Sequence, residues 1–142
     1  MTYNLFIGRY QSPHKGHMTI FNEYLDAGLP VLIAIRDIEP DLNNPLTAGE
    51  VKSIWDTIYL GNPLVETLII PDIASVNYGR GVGYEVKEIQ VDSNIANISA
   101  TEIRRQIRSG EEAWKELVDH KGHEVLSLLL KNKQTNGKET NK

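Results

Sequence analysis

YNLFIGRYQSPHKGHMTIFNEYLDAGLPVLIAI, residues 3 to 35, reads as strand, loop, helix and strand. Tyr3 to Gly8 is a short apolar run ending in glycine, the pattern of a buried strand. Residues 9 to 16 form a polar loop. From about His17 to Ala27, Met18, Phe21 and Leu25 recur at helical spacing, and Gly28 closes the segment. Pro30 then leads into VLIAI, residues 31 to 35, a second buried strand. Two apolar strands joined through a helix imply a parallel pair, because the crossover returns the chain to the same end of the sheet.

The alternation continues downstream. Residues 36 to 46 are a polar loop, and Thr47 with Glu50 forms a T-x-x-E capping box. Val51, Ile54, Trp55, Ile58 and Tyr59 follow at helical spacing up to Gly61. Val65 to Ile70 reads as a third strand and Tyr84 to Ile89 as a fourth, with loop between 73 and 83. Ser99 and Glu102 form a second capping box, opening a helix through Arg108 that Gly110 ends. Residues 111 to 118 and 123 to 131 read as two more short helices. The expected fold is α/β: a parallel sheet with helices on both faces, one domain over residues 1–131, then a disordered polar tail at 132–142.

Composition narrows the functional classes. The 142 residues are 40% hydrophobic and 24% charged, as in an ordinary globular domain. No run of about 18 apolar residues suggests a membrane span, and the opening apolar stretch is too short for a signal peptide. With no cysteine there is no disulfide, thiolate metal site or cysteine nucleophile, which fits a cytoplasmic protein. The net charge of −4 is uneven: residues 131–142 carry +3. The acidic body argues against nucleic acid as a partner. Oligomeric state is left open, a homo-oligomer included.

Ligands of such sheets bind at the carboxyl ends of the strands. The first of these loops reads Gly8-Arg9-Tyr10-Gln11-Ser12-Pro13-His14-Lys15-Gly16-His17. His14 and His17 flank a helix start, whose free amides attract anions, and Gly16 lets a phosphate approach the backbone. Imidazole N–H donors suit phosphoryl chemistry in which the substrate supplies the nucleophile and the protein neutralises the leaving pyrophosphate. A surface histidine pair or a metal site is the alternative, although no third ligand lies nearby. The tetrapeptide HKGH recurs at His120 to His123, after helical residues rather than a strand, and is read as a mere connection. The second candidate is the helix start at 98–105: the Ser99 and Thr101 hydroxyls cradle an anion, and Arg104 or Arg105, one turn in, reaches it. Arg36, Tyr78 and Arg80 are weaker candidates for touching the acceptor.

Together these residues resemble the HxGH nucleotidyltransferase superfamily. His14-Lys15-Gly16-His17 matches its first signature, and Ile98-Ser99-Ala100-Thr101-Glu102-Ile103-Arg104 is similar to its ISSTxxR-type second. Within it the chain most resembles the archaeal-type nicotinamide mononucleotide adenylyltransferases: GRYQSPHKGH is similar to their GRxQPxHxGH opening and PLTAGE, 45–50, to their PxTAGER segment. PDI, 71–73, and GYEV, 83–86, also have counterparts.

The resemblance implies a Rossmann-like nucleotidyltransferase fold and adenylyl transfer from ATP, assisted by Mg²⁺, to a phosphorylated acceptor such as nicotinamide mononucleotide. Pyrophosphate would be released, in NAD biosynthesis. It assigns His14, His17 and Arg104 to catalysis and Gly8, Arg9, Gly16, Ser99 and Thr101 to nucleotide binding, with no metal ligand from the chain. Two departures stand out: Val51 replaces the arginine after TAGE, and the segment between PDI and GYEV is short. The alternatives are a cytidylyltransferase, another adenylyltransferase acting on a sugar, polyol or pantetheine phosphate, and a non-catalytic nucleotide-binding module.

Overall fold

The computed structural model describes residues 1–79, 83, 85–87 and 100–130, with backbone only at 100 and 101. Three strands, β1 (Asn4–Gly8), β2 (Val31–Asp37) and β3 (Val65–Pro71), form a parallel sheet in the order β1-β2-β3. Helix α1 (Lys15–Asp26) connects the first pair and α2 (Ala48–Ile58) the second. Beyond them come α3 (Ala100–Ser109), two single-turn 3₁₀ helices (Ala113–Glu116 and His120–Gly122), and α4, residues 123–130. The chain therefore adopts the α/β, Rossmann-like arrangement expected, a parallel sheet flanked by helices.

Register shows which face is covered. Phe6, Ile33 and Thr67 are in line across the sheet and so point the same way. Phe6 packs edge-on against Phe21 of α1, and the Thr67 hydroxyl donates to Asp56 of α2 at 2.5 Å. Both helices thus cover one face, where helices on both faces were expected, because two right-handed crossovers winding in one direction place their helices on the same side. Val31, Ile33 and Ile35 are fully buried against Phe21, Ile54 and Trp55. On the opposite face, Leu5, Ile7 and Leu68 are exposed among the described residues.

Capping sets the helix limits. Thr47 and Glu50 close the predicted box at α2, each accepting a backbone N–H of the other. At α1 the N-cap is His14, whose ring plays the part usually taken by Ser, Thr, Asp or Asn, so the helix starts at Lys15, two residues before the expected His17. Glu85, Val86 and Lys87 carry no strand; the rest of the predicted fourth strand lies outside the described residues. The helix expected at 111–118 is only a 3₁₀ turn. Gly110, at φ 78°, ends α3 as predicted. Gly122 lets the second 3₁₀ turn press on α2: a Cβ there would meet Ile58 Cδ1 at 3.1 Å, a tight contact. The tail at 132–142 lies outside the described residues.

Candidate active site

The loop between β1 and α1 is folded around its own side chains. The backbone N–H of Gly16 donates to His14 Nδ1 at 3.0 Å, and that of His14 donates to His17 Nδ1 at 3.2 Å. The two rings stack, centroids 3.8 Å apart and 18° between planes. Tyr10 and Trp55 hold His17 edge-on at 5.0 and 5.9 Å. Each Nδ1 accepts from an amide, which cannot reverse its polarity, so in the neutral ring the proton sits on Nε2. The rings are held neutral. Burial pushes His14 down to about 4. Burial, together with neighbouring His14, pushes His17 down to about 3. The pair is therefore two fixed, uncharged N–H donors.

This arrangement corrects one expectation. The amides at the start of α1 are not free: Lys15 N–H donates to the Leu117 carbonyl at 2.6 Å, Gly16 N–H to His14 Nδ1, and His17 N–H to the His14 carbonyl at 3.1 Å. An anion here meets imidazole donors in place of a helix N-terminus. Gly16 is buried, and its amide orients His14.

Gly8, Arg9, Tyr10 and His17 line a cleft of about 300 Å³ together with Ile7, Ile20 and the rings of Phe6 and Phe21. A Cβ on Gly8 would stand 2.8 Å from the Tyr10 ring, so the glycine makes room for a tyrosine turned back over it at φ 55°. Arg9 donates to the Glu39 carbonyl at 2.9 Å and lies 4.0 Å from Asp41. Three of the residues assigned to nucleotide and catalysis thus meet in one cleft.

Helix α3 separates its two candidate arginines. Arg105 pairs outward with Glu102 and Glu111. Arg104 is 4% exposed, and its Nη1 donates to the Gln11 backbone carbonyl, inside the histidine loop. Desolvation by burial, with Arg108 nearby, lowers the Arg104 pKa, yet a guanidinium stays charged at any ordinary pH. The structure therefore brings Arg104 to the loop of His14 and His17. Ser99, and the side chain of Thr101, lie outside the described residues.

The recurring HKGH has a different environment. His120 is exposed beside Asp119, while His123 Nε2 faces the Lys115 and Val118 carbonyls at 3.0 and 2.7 Å. It serves a chain connection, as its helical context predicts. Trp55 and Trp114 are both buried core. Val51 is fully buried in the same core, which explains an apolar residue where the resemblance has arginine.

Two participants escaped the sequence reading. Asp72 binds Arg36, a weaker acceptor-contact candidate, through both Nε and Nη2, at 3.1 and 2.7 Å. The signal was present in the topology: strands in register at Asp37 and Pro71 bring residues 36 and 72 together. Gln11 was the other, its long-range partners being unreadable from spacing.

No family model matches the chain. Curated relatives do. A protein of Methanococcus aeolicus named nicotinamide-nucleotide adenylyltransferase is 31% identical, over 80% of this chain and 81% of its own. The chain belongs to the nicotinamide-nucleotide adenylyltransferase family. Family members from Pyrobaculum arsenaticum and Pyrococcus furiosus are 28% and 26% identical, covering 91% and 98% of this chain and 89% and 95% of theirs. The Pyrobaculum arsenaticum alignment runs over 170 positions for 91% of a 142-residue chain, so that family member carries segments with no counterpart here.

Proposed function

We propose that the chain transfers the adenylyl group of ATP to nicotinamide mononucleotide or a closely similar phosphorylated acceptor and releases pyrophosphate. The observation that carries this reading is the locked imidazole pair: two neutral Nε2–H donors at the carboxyl end of the first strand, in a loop to which a buried arginine also bonds. Family membership supplies the acceptor.

In this reading an acceptor phosphate oxygen attacks the α-phosphorus of ATP, and the bond to the bridging oxygen of pyrophosphate breaks. The protein has no covalent step to perform; it aligns the reactants and stabilises charge. The Nε2–H groups of His14 and His17 donate to oxygens that gain charge as the bond breaks. Because both Nδ1 atoms are fixed, these donors need no reorganisation at the moment of reaction. Arg104, with Ser99 and Thr101, holds the β- and γ-phosphates. Gly8 and Arg9 line the nucleotide cleft, and Gly16 keeps His14 in place.

Mg²⁺ would enter on the triphosphate and neutralise its charge. No group of three His, Asp or Glu side chains gathers into a metal shell among the described residues, and the imidazoles offer protons rather than lone pairs. In this proposal the ion is carried by the triphosphate, and no step is assigned to it.

The test is pyrophosphate release by purified protein, with ATP or CTP against a panel of phosphorylated acceptors. Turnover with ATP and nicotinamide mononucleotide is expected; turnover with other acceptors only, or with none, overturns the assignment.

A further inference from the structure

Gln11 is the point at which three separate parts of the chain are fastened. Its side-chain Nε2 donates to the Leu46 carbonyl at 2.6 Å, and the Leu46 N–H donates back to its Oε1 at 2.9 Å. This reciprocal amide pair is buried, and Leu46 immediately precedes Thr47, the N-cap of α2. The backbone carbonyl of the same residue accepts from Arg104 of α3. Gln11 itself stands three residues before His14, the N-cap of α1. Both donor and acceptor capacities of the amide are thus used on one backbone unit, the geometry of a strand pairing made by a side chain.

We propose that Gln11 is a positioning residue of the transfer reaction, fixing the histidine loop, the start of α2 and the Arg104 guanidinium in one frame. This rests on the adenylyl-transfer reading above. A loop fastened only at its strand and helix ends would let the Gln11 carbonyl, and the guanidinium bound to it, drift relative to the imidazoles. Small displacements of groups that align a reaction cost far more in rate than in stability. The buried amide pair also makes the fastening specific: an apolar side chain of equal length would leave the Leu46 N–H and carbonyl unsatisfied.

The test is a double-mutant cycle on the full chain, with Gln11→Met, Arg104→Lys and the double variant, reading kcat, acceptor KM and the dissociation constant for ATP. Gln11→Met is expected to lower kcat by roughly tenfold to a hundredfold, to weaken ATP binding and to leave acceptor KM unchanged. The same change is expected to cost much less in the Arg104→Lys background, because the Gln11 side chain acts by holding in place the backbone carbonyl that Arg104 binds. An unchanged kcat, or equal losses in both backgrounds, overturns the proposal. Should Gln11→Met not fold, Gln11→Glu enters the same cycle; it keeps the acceptor for the Leu46 N–H and replaces the donor to the Leu46 carbonyl by a carboxylate oxygen. Wild-type protein that binds ATP without releasing pyrophosphate refutes the functional reading alone, and the cycle in ATP affinity then decides the role of Gln11. Wild-type protein that binds no ATP refutes both.

Discussion

Lowering the pH from about 7 to about 5 probes the imidazole pair without altering the sequence. In the folded chain burial holds His14 near 4, and burial with its histidine neighbour holds His17 near 3. An unfolded histidine titrates at about 6.5. With the folded values depressed, the unfolded chain takes up protons first, so stability is complete above the unfolded value and is lost as pH falls. Integrating the proton difference between these two pH values gives roughly 2 kcal/mol per histidine, about 4 kcal/mol for the pair. The figure barely depends on how far below 5 the folded values lie, because the rings are already almost wholly neutral there. Against a typical stability of about 5–15 kcal/mol this is a large loss. Urea unfolding at the two pH values measures it directly, with a His14→Gln/His17→Gln protein as reference, in which most of the loss should vanish. Nitrogen-detected NMR of the histidine rings should find both neutral, protonated on Nε2, down to pH 5. A ring titrating near its unfolded value, or an equal pH loss in the reference protein, would refute the reasoning.

Three further outcomes are expected. His17→Ala should retain the fold, judged by circular dichroism, and lose about 10²–10³ in kcat, the scale of removing one preorganised donor to developing charge. Arg104→Ala should abolish most turnover while Arg105→Ala leaves it intact, since only Arg104 reaches the histidine loop; steady-state pyrophosphate release separates the two. Gly122→Ala should lower thermal stability by about 1–3 kcal/mol through overpacking against Ile58, with kcat unchanged, as a calorimetric melt will show.

Where the sequence was legible, a local rule carried the information. The apolar runs became β1, β2 and β3 within a residue or two, because a short apolar run bounded by turn residues marks a strand, although only β2 is largely buried. The box at Thr47 and Glu50 formed as read, since its partners are three residues apart. The two HKGH copies were told apart by what precedes each. Long-range partners were illegible. Nothing in spacing reveals that Gln11 seeks Leu46, or that Arg36 seeks Asp72, since both contacts depend on the closed sheet and packed helices. The start of α1 was misread for a subtler reason: a histidine took the capping role, its ring accepting from the Gly16 amide, while the neighbouring amides went to the Leu117 and His14 carbonyls. The same substitution fixed the ring tautomers, so the chemistry sits on Nε2 rather than on the helix end.

The claim on which the account depends is that the histidine loop and the start of α3 serve a single polyphosphate. Titrating ATP into protein labelled at histidine and arginine side chains, and following the Nε2–H of His14 and His17 with the guanidinium of Arg104, tests it most directly. All three signals should shift along one saturation curve. Rings that respond while Arg104 does not, or the reverse, would mean that the two clusters hold no common ligand.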